Sequence, residues 1–252
     1  MTVDVLSQSI AGYSNDIPHL SWAQFEEQFV WNQGEHIGMV GPTGEGKTNL
    51  SLLLLPRRDY VTVFATKPED ETLDLYAKAF HYKKLSEWNP KLKAEKYPRR
   101  LLWPNARDMK TMIDRQRSVF EKAIHDIYAS GHWCVYFDEL WWIAKVLGLE
   151  QYVKIVLQQG RSVKLSLLCA TQRPAWVPLE VYDQSTHLFF WADNDERNLN
   201  RISSIGSFNS NAIRARIATL VKHEVLYVNT RAKYMCTFRP PLLVIKKGGK
   251  TE

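Results

Sequence analysis

No uninterrupted apolar stretch in the 252 residues approaches the ~18 that a membrane-spanning helix requires, so no such span is expected. The first residues, MTVDVLSQSIAGYSNDIPHL, lack the basic start and apolar centre of a secretory leader. Cysteine is scarce. Cys134, Cys169 and Cys236 are far apart, and two of them lie in apolar, strand-like runs. That spacing excludes a disulfide framework and a cysteine metal site, and it reads as buried thiols in a reducing, cytoplasmic compartment. Internal repeats are absent, and no composition break marks a second domain. Charge is only mildly one-sided, at +6. A polyanionic partner is compatible with that balance but not demanded by it.

What is present is globular: 45% of residues are apolar, with nine tryptophans and eleven tyrosines for a sizeable core. The first 20 residues read as irregular, with Gly12, Asn15 and Pro18. SWAQFEEQF, from Ser21, reads as a short amphipathic helix behind an N-cap serine. Strands are expected at HIGMV (36–40), YVTVFAT (60–66), WCVYFD (133–138), KLSLLCA (164–170), HLFFWA (187–192) and EVLYVN (224–229), with YMCTF (234–238) closing a hairpin. Helices are expected after Lys47 as far as Pro56, over roughly 107–131 with Gly131 as the stop, and over 150–159. Strands alternating with helices predict an α/β fold, a mostly parallel central sheet flanked by helices with an antiparallel C-terminal hairpin. One domain over residues 1–252 is expected, with an N-terminal extension at 1–30 and a basic insertion at 81–105. Within that insertion, 83–100 carries seven lysines and arginines with little periodicity. It reads as an exposed, mobile loop, either merely solvated or contacting a polyanion. Trp88, Trp103, Trp141, Trp142 and Trp176 are assigned mostly to the core by default. Trp141-Trp142 is the pair to watch, because it directly follows Glu139.

Three stretches carry chemistry. Gly41-Pro42-Thr43-Gly44-Glu45-Gly46-Lys47-Thr48 fits G-x-x-x-x-G-K-[ST], between a predicted strand and a predicted helix. Such a loop wraps phosphate in backbone N–H groups at a helix N-terminus. Lys47 would reach the β- and γ-phosphates and Thr48 would hold Mg²⁺, with Asn49 counted in the nucleotide site. The apolar strand WCVYFD ends in Asp138-Glu139. A carboxylate at such a place needs compensation, and Asp138 would find it in Mg²⁺. Glu139 would take a proton from the attacking water. The alternative is a solvated acidic pair opening a helix. Finally, GRSVKLSLLCATQRP runs from Gly160 to Pro174. Ligands of open parallel sheets bind outside the carboxyl ends of the strands. Gln172 is therefore expected level with the γ-phosphate as a sensor, against the blander reading of a polar strand end. Arg161 falls at the other end of that strand, suited to the γ-phosphate of a neighbouring subunit, or else it is an ordinary helix-end cation.

GPTGEGKT, CVYFDEL and GRSVKLSLLCATQRP together resemble the FtsK–HerA superfamily of P-loop ATPases, over about Gly34 to Trp191. The resemblance implies ATP and Mg²⁺ as cofactors, Lys47 and Thr48 on nucleotide and metal, and Asp138 as the Walker B acid. It further implies Glu139 as catalytic base, Gln172 as sensor and Arg161 as a finger acting in trans. Members of that superfamily usually form hexameric rings that thread DNA. The chain lacks the membrane segment, winged-helix reader or N-terminal barrel of various members, and so resembles compact viral genome-packaging ATPases. The implied function is ATP-driven translocation of double-stranded DNA into a capsid, with a capsid vertex or portal as docking partner, in host cytoplasm or virion. The basic segment and Lys145 would touch DNA phosphates. The alternatives are a helicase, repair or DNA-transfer translocase, a filamentous-phage-type assembly ATPase with protein cargo, and a nucleotide kinase or binding-only switch.

Overall fold

The computed structural model describes residues 17–104, 107–202 and 210–245. Expectations for residues 1–16 and 105 lie outside them. In chain order the elements are β1 (His19–Leu20), α1 (Trp22–Gln28), β2 (Ile37–Val40), α2 (Lys47–Leu54), β3 (Val61–Phe64), α3 (Glu71–Ala79), β4 (Lys83–Leu85), β5 (Arg99–Leu102), α4 (Met112–Ser130), β6 (Cys134–Phe137), α5 (Glu150–Gln159), β7 (Ser166–Thr171), α6 (Glu180–Gln184), β8 (His187–Phe190), α7 (Glu196–Ile202), α8 (Ser210–Thr219), β9 (Val225–Asn229) and β10 (Tyr234–Phe238). Among the described residues one ten-stranded sheet joins the strands, in the order β1-β10-β9-β8-β2-β7-β6-β3-β5-β4. From β8 to β4 all neighbours are parallel. Only β9 runs against its neighbours, forming the expected hairpin with β10.

The apolar runs are continuous because the sheet is covered on both faces. Along β6, Val135 and Phe137 face one layer and Cys134 and Tyr136 the other. The first layer takes Val119 and Phe120 of α4, Val153 and Val156 of α5, Leu199 of α7 and Ile213 of α8. The second takes Phe25 of α1, Leu50 and Leu54 of α2, and Leu73 and Tyr76 of α3. All three cysteines are buried free thiols.

Three expectations change. The basic insertion is not loop throughout: its two ends are the strands β4 and β5, while residues 86–98 between them form turns and irregular chain. Arg100 is only 3% exposed. Its guanidinium stacks on Trp88 and Trp133, at 4.9 and 4.6 Å, and donates to the carbonyls of Tyr97 and Leu92. Aromatic faces and fixed carbonyls compensate a buried guanidinium, so a charged residue sits inside a strand. Lys84 is likewise engaged, over Trp103 and paired with Asp74. The supposed irregular start contributes the edge strand β1, parallel to β10. The helix expected from about 107 begins at Met112, because Asp108 holds the preceding turn through Lys110 N–H and the Thr111 hydroxyl. Of the five tryptophans assigned mostly to the core, Trp88, Trp103, Trp141 and Trp142 pack half-buried against it, and Trp176 is the exception at 60% exposed.

Candidate active site

The sheet register brings the predicted residues together. Val40, the last residue of β2, pairs with Thr171, the last of β7. Phe137 of β6 pairs with Cys169, so Asp138 and Glu139 leave the sheet level with Ala170 and Thr171. The phosphate loop, the acidic pair and Gln172 therefore emerge side by side at the carboxyl edge of three adjacent strands, where open α/β sheets bind ligands.

The loop leaves β2 with Gly41 N–H donating to the Thr171 carbonyl at 3.3 Å. A Cβ on Gly41 would stand 2.8 Å from Cβ of Trp191, so only glycine lets the chain pass there. Gly46, at φ +103°, is the N-cap of α2, a left-handed backbone that glycine alone adopts without strain. Lys47 is buried, and its ammonium donates to the carbonyls of Gly41 and Pro42, each at 2.6 Å. Burial brings its pKa down to about 8 despite the nearby Glu139, Asp138 and Glu45 carboxylates. An anionic phosphate is the natural partner for such a group. Thr43 donates its hydroxyl to Oε1 of Gln172, tying the loop to the residue that follows β7. Glu45 is latched from behind by His223, whose backbone N–H donates to its carboxylate at 3.2 Å. Asn49 does something the sequence did not announce. Its amide donates to the Pro241 carbonyl and accepts from Leu243 N–H, fastening the C-terminal segment to α2.

Asp138 is 8% exposed and saturated with donors. Its Oδ1 accepts from Thr48 Oγ1 at 2.8 Å and from the Tyr136 hydroxyl at 2.5 Å. Its Oδ2 faces the Lys67 ammonium at 3.3 Å. The Thr48 hydroxyl and the Asp138 carboxylate are converging hard oxygens, the donor set that suits Mg²⁺ with phosphates and waters completing the shell. The residues thus fit that ion. Glu139 lies beside them. Burial raises its pKa, while Trp141 N–H and the Thr171 hydroxyl lie 3.3 and 3.5 Å from its Oε1. A carboxylate shifted upward is a better proton acceptor near neutral pH.

Behind Glu139 the chain makes a π-helical turn, Trp142–Val146. Such turns reposition side chains. Here Trp142 donates its indole N–H to Gln116, and Gln116, fully buried in α4, donates to the Thr66 carbonyl at 2.8 Å. Arg173 lies over Trp141 at 4.4 Å, so the loop after β7 and the segment after β6 are in contact through side chains.

Arg161 is placed elsewhere. It is exposed in the short 3₁₀ turn Gly160–Val163 ahead of β7. Six residues of strand, roughly 20 Å, separate its end of the sheet from Gln172. It therefore does not join its own chain's site. The turn is seated by residues ahead of β2: Gln33 donates to the Lys164 carbonyl, and a Cβ on Gly34 would meet the Arg161 backbone at 3.3 Å. Lys145, read as a DNA contact, is exposed and pairs with Glu150 at 2.6 Å in this chain. Two contributors were missed by sequence reasoning, Lys67 and Gln116. The available signal for Lys67 was its position just past strand β3.

No family model matches the chain, and no curated protein does. Solved structures do match. The genome packaging NTPase B204 of Sulfolobus turreted icosahedral virus 2, in complex with AMPPCP, is 15% identical and superposes with a TM-score of 0.62, covering 84% of this chain and all of that one. VirB4 of Thermoanaerobacter pseudethanolicus is 10% identical with a TM-score of 0.63, over 82% and 89% of the two chains. The cytoplasmic domain of the type VII secretion ATPase EccC of Thermomonospora curvata is 12% identical, with a TM-score of 0.51 over 86% of this chain and 27% of its own. The expected architecture stands: the chain shares its fold with a viral genome packaging NTPase.

Proposed function

We propose that the protein is a Mg²⁺-dependent ATPase that translocates double-stranded DNA, working as a ring-shaped homo-oligomer in viral genome packaging. The observation that carries the ATPase reading is the convergence of Lys47, Thr48, Asp138, Glu139 and Gln172 at one edge of the sheet. A phosphate cradle beside a half-buried carboxylate able to accept a proton is equipped to use water as the acceptor, which a kinase would avoid. In this reading Lys47 leaves the carbonyls of Gly41 and Pro42 for the phosphates. Thr48 and Asp138 hold Mg²⁺, whose chemistry is neutralising charge on the phosphates. Glu139 orients the attacking water and takes its proton. Gln172, already tied to Thr43, reports whether a γ-phosphate is present. Arg161, on the opposite edge, serves the neighbouring subunit's nucleotide, which couples hydrolysis to assembly. Backbone N–H groups of residues 41–48 supply the cradle, with Asn49 anchoring α2 behind it.

DNA as cargo, with a capsid vertex or portal as the docking point, rests on the shared fold with the packaging NTPase, which aligns over its whole length. A second reading, protein as cargo, is favoured by the weaker likeness to a secretion ATPase. ATP turnover with and without long duplex DNA separates them. The proposal requires stimulation by duplex that fades between low and moderate salt, as phosphate contacts do. Turnover indifferent to duplex and single strands alike would reject DNA as the cargo.

A further inference from the structure

Lys67 is the feature of this site that neither the motifs nor the shared fold assign. It follows β3, whose last residue Phe64 is level with Phe137, so the loop leaves the sheet beside Asp138. Its ammonium bridges two carboxylates, 3.2 Å from Asp70 Oδ2 and 3.3 Å from Asp138 Oδ2. Both are fixed. Asp70 is the N-cap of α3, its other oxygen accepting from Leu73 N–H, and Asp138 is held by Thr48 and Tyr136. The backbone under Lys67 is fixed as well. Gln116 holds the Thr66 carbonyl and Trp103 donates its indole N–H to the Lys67 carbonyl at 2.8 Å. The side chain itself stays half exposed.

We propose that Lys67 is a tethered counter-cation that competes with Mg²⁺ for Asp138 and withdraws to Asp70 when the metal arrives. This rests on the nucleotide-site reading above. The physical reason is charge. A nearly buried carboxylate is costly without a cation, and Lys67 supplies one while the site holds no metal. Mg²⁺ and the ammonium cannot share Asp138 cheaply, because like charges at that distance repel. Asp70 gives the displaced lysine a second partner, so exchange does not strand a charge. Paired with Asp70, the ammonium stays near Lys47, on which its charge already acts.

The test is a Mg²⁺ titration of binding by a fluorescent, non-hydrolysable ATP analogue, read as the Mg²⁺ concentration at half-maximal binding. Lys67→Met removes the competitor and should lower that midpoint about two- to fivefold, the size of a partly exposed ion pair. Lys67→Arg, which keeps the charge, should stay near wild type. Asp70→Asn preserves the helix cap but removes the lysine's alternative partner, so its midpoint should rise. Opposite shifts in Lys67→Met and Asp70→Asn are a signature that a merely structural role does not produce. An unchanged or raised midpoint in Lys67→Met overturns the proposal and leaves the ATPase reading intact. Wild-type protein that binds no nucleotide at any Mg²⁺ concentration would overturn the site itself, and this inference with it.

Discussion

Replacing Glu139 by glutamine tests its proposed role as proton acceptor. The amide has the same shape, and its oxygen can still accept from Trp141 N–H and the Thr171 hydroxyl, which lie 3.3 and 3.5 Å from Oε1. Folding and nucleotide binding should therefore survive. Lost is the capacity to take a proton, a contribution of about 10²–10⁴ in rate, or ~3–5 kcal/mol of barrier. Burial is what suits this carboxylate to the task, since it raises the pKa toward working pH. The sign follows: the base acts deprotonated, so turnover of the wild type should fall as pH drops through that raised pKa. Phosphate release, binding of a fluorescent ATP analogue and thermal melting form the assay. Turnover at least ~100-fold down, with affinity within about twofold and melting unchanged, is expected. Turnover within ~10-fold of wild type would refute Glu139 as the base.

Arg161→Ala should bind ATP normally yet hydrolyse it poorly, by ~10³-fold or more for a finger in trans. Mixing it with Glu139→Gln subunits should restore measurable phosphate release, because one interface then pairs an intact Arg161 with an intact Glu139; no recovery at any ratio counts against a finger in trans. At the amino edge of the sheet, Glu35 accepts from His187 Nε2 and Arg231, at 3.2 and 3.1 Å. Burial alone would raise its pKa, but hydrogen bonds, chiefly from His187 and Asn32, outweigh it and take the value to about 2. The stability this contributes is complete above the ordinary value of 4.5 and drains as pH falls toward about 2. Glu35→Gln should flatten the fall in melting temperature across that window, and an unchanged acid limb would show that Glu35 is not its source.

Much of the site was legible because its chemistry is local in sequence. Gly41 to Thr48 needs one strand, one turn and one helix in succession, and the glycines are dictated by backbone geometry at Gly46 and by Trp191 against Gly41. Asp138-Glu139 and Gln172 were legible because apolar runs end at them, and a strand end on a parallel sheet is where ligands bind. What failed to show were residues whose role depends on distant partners. Arg100 looks solvated until Trp88 and Trp133 enclose it. Lys67 looks like a loop lysine until β3 is laid beside β6. Gln116 sits on the buried face of α4, where its polarity breaks the apolar stripe, and only the fold supplies Trp142 and Thr66 as its partners. The two-residue strand β1 is too short to carry any periodicity.

Movement along DNA is the central claim, and displacement of a triplex-forming strand from a long duplex measures it directly. With ATP and Mg²⁺ the wild-type protein should strip the third strand, while Glu139→Gln, or wild type given AMPPCP, should leave it in place. Robust ATP hydrolysis on duplex DNA with the triplex left intact would contradict translocation and leave an ATPase that binds DNA without moving along it.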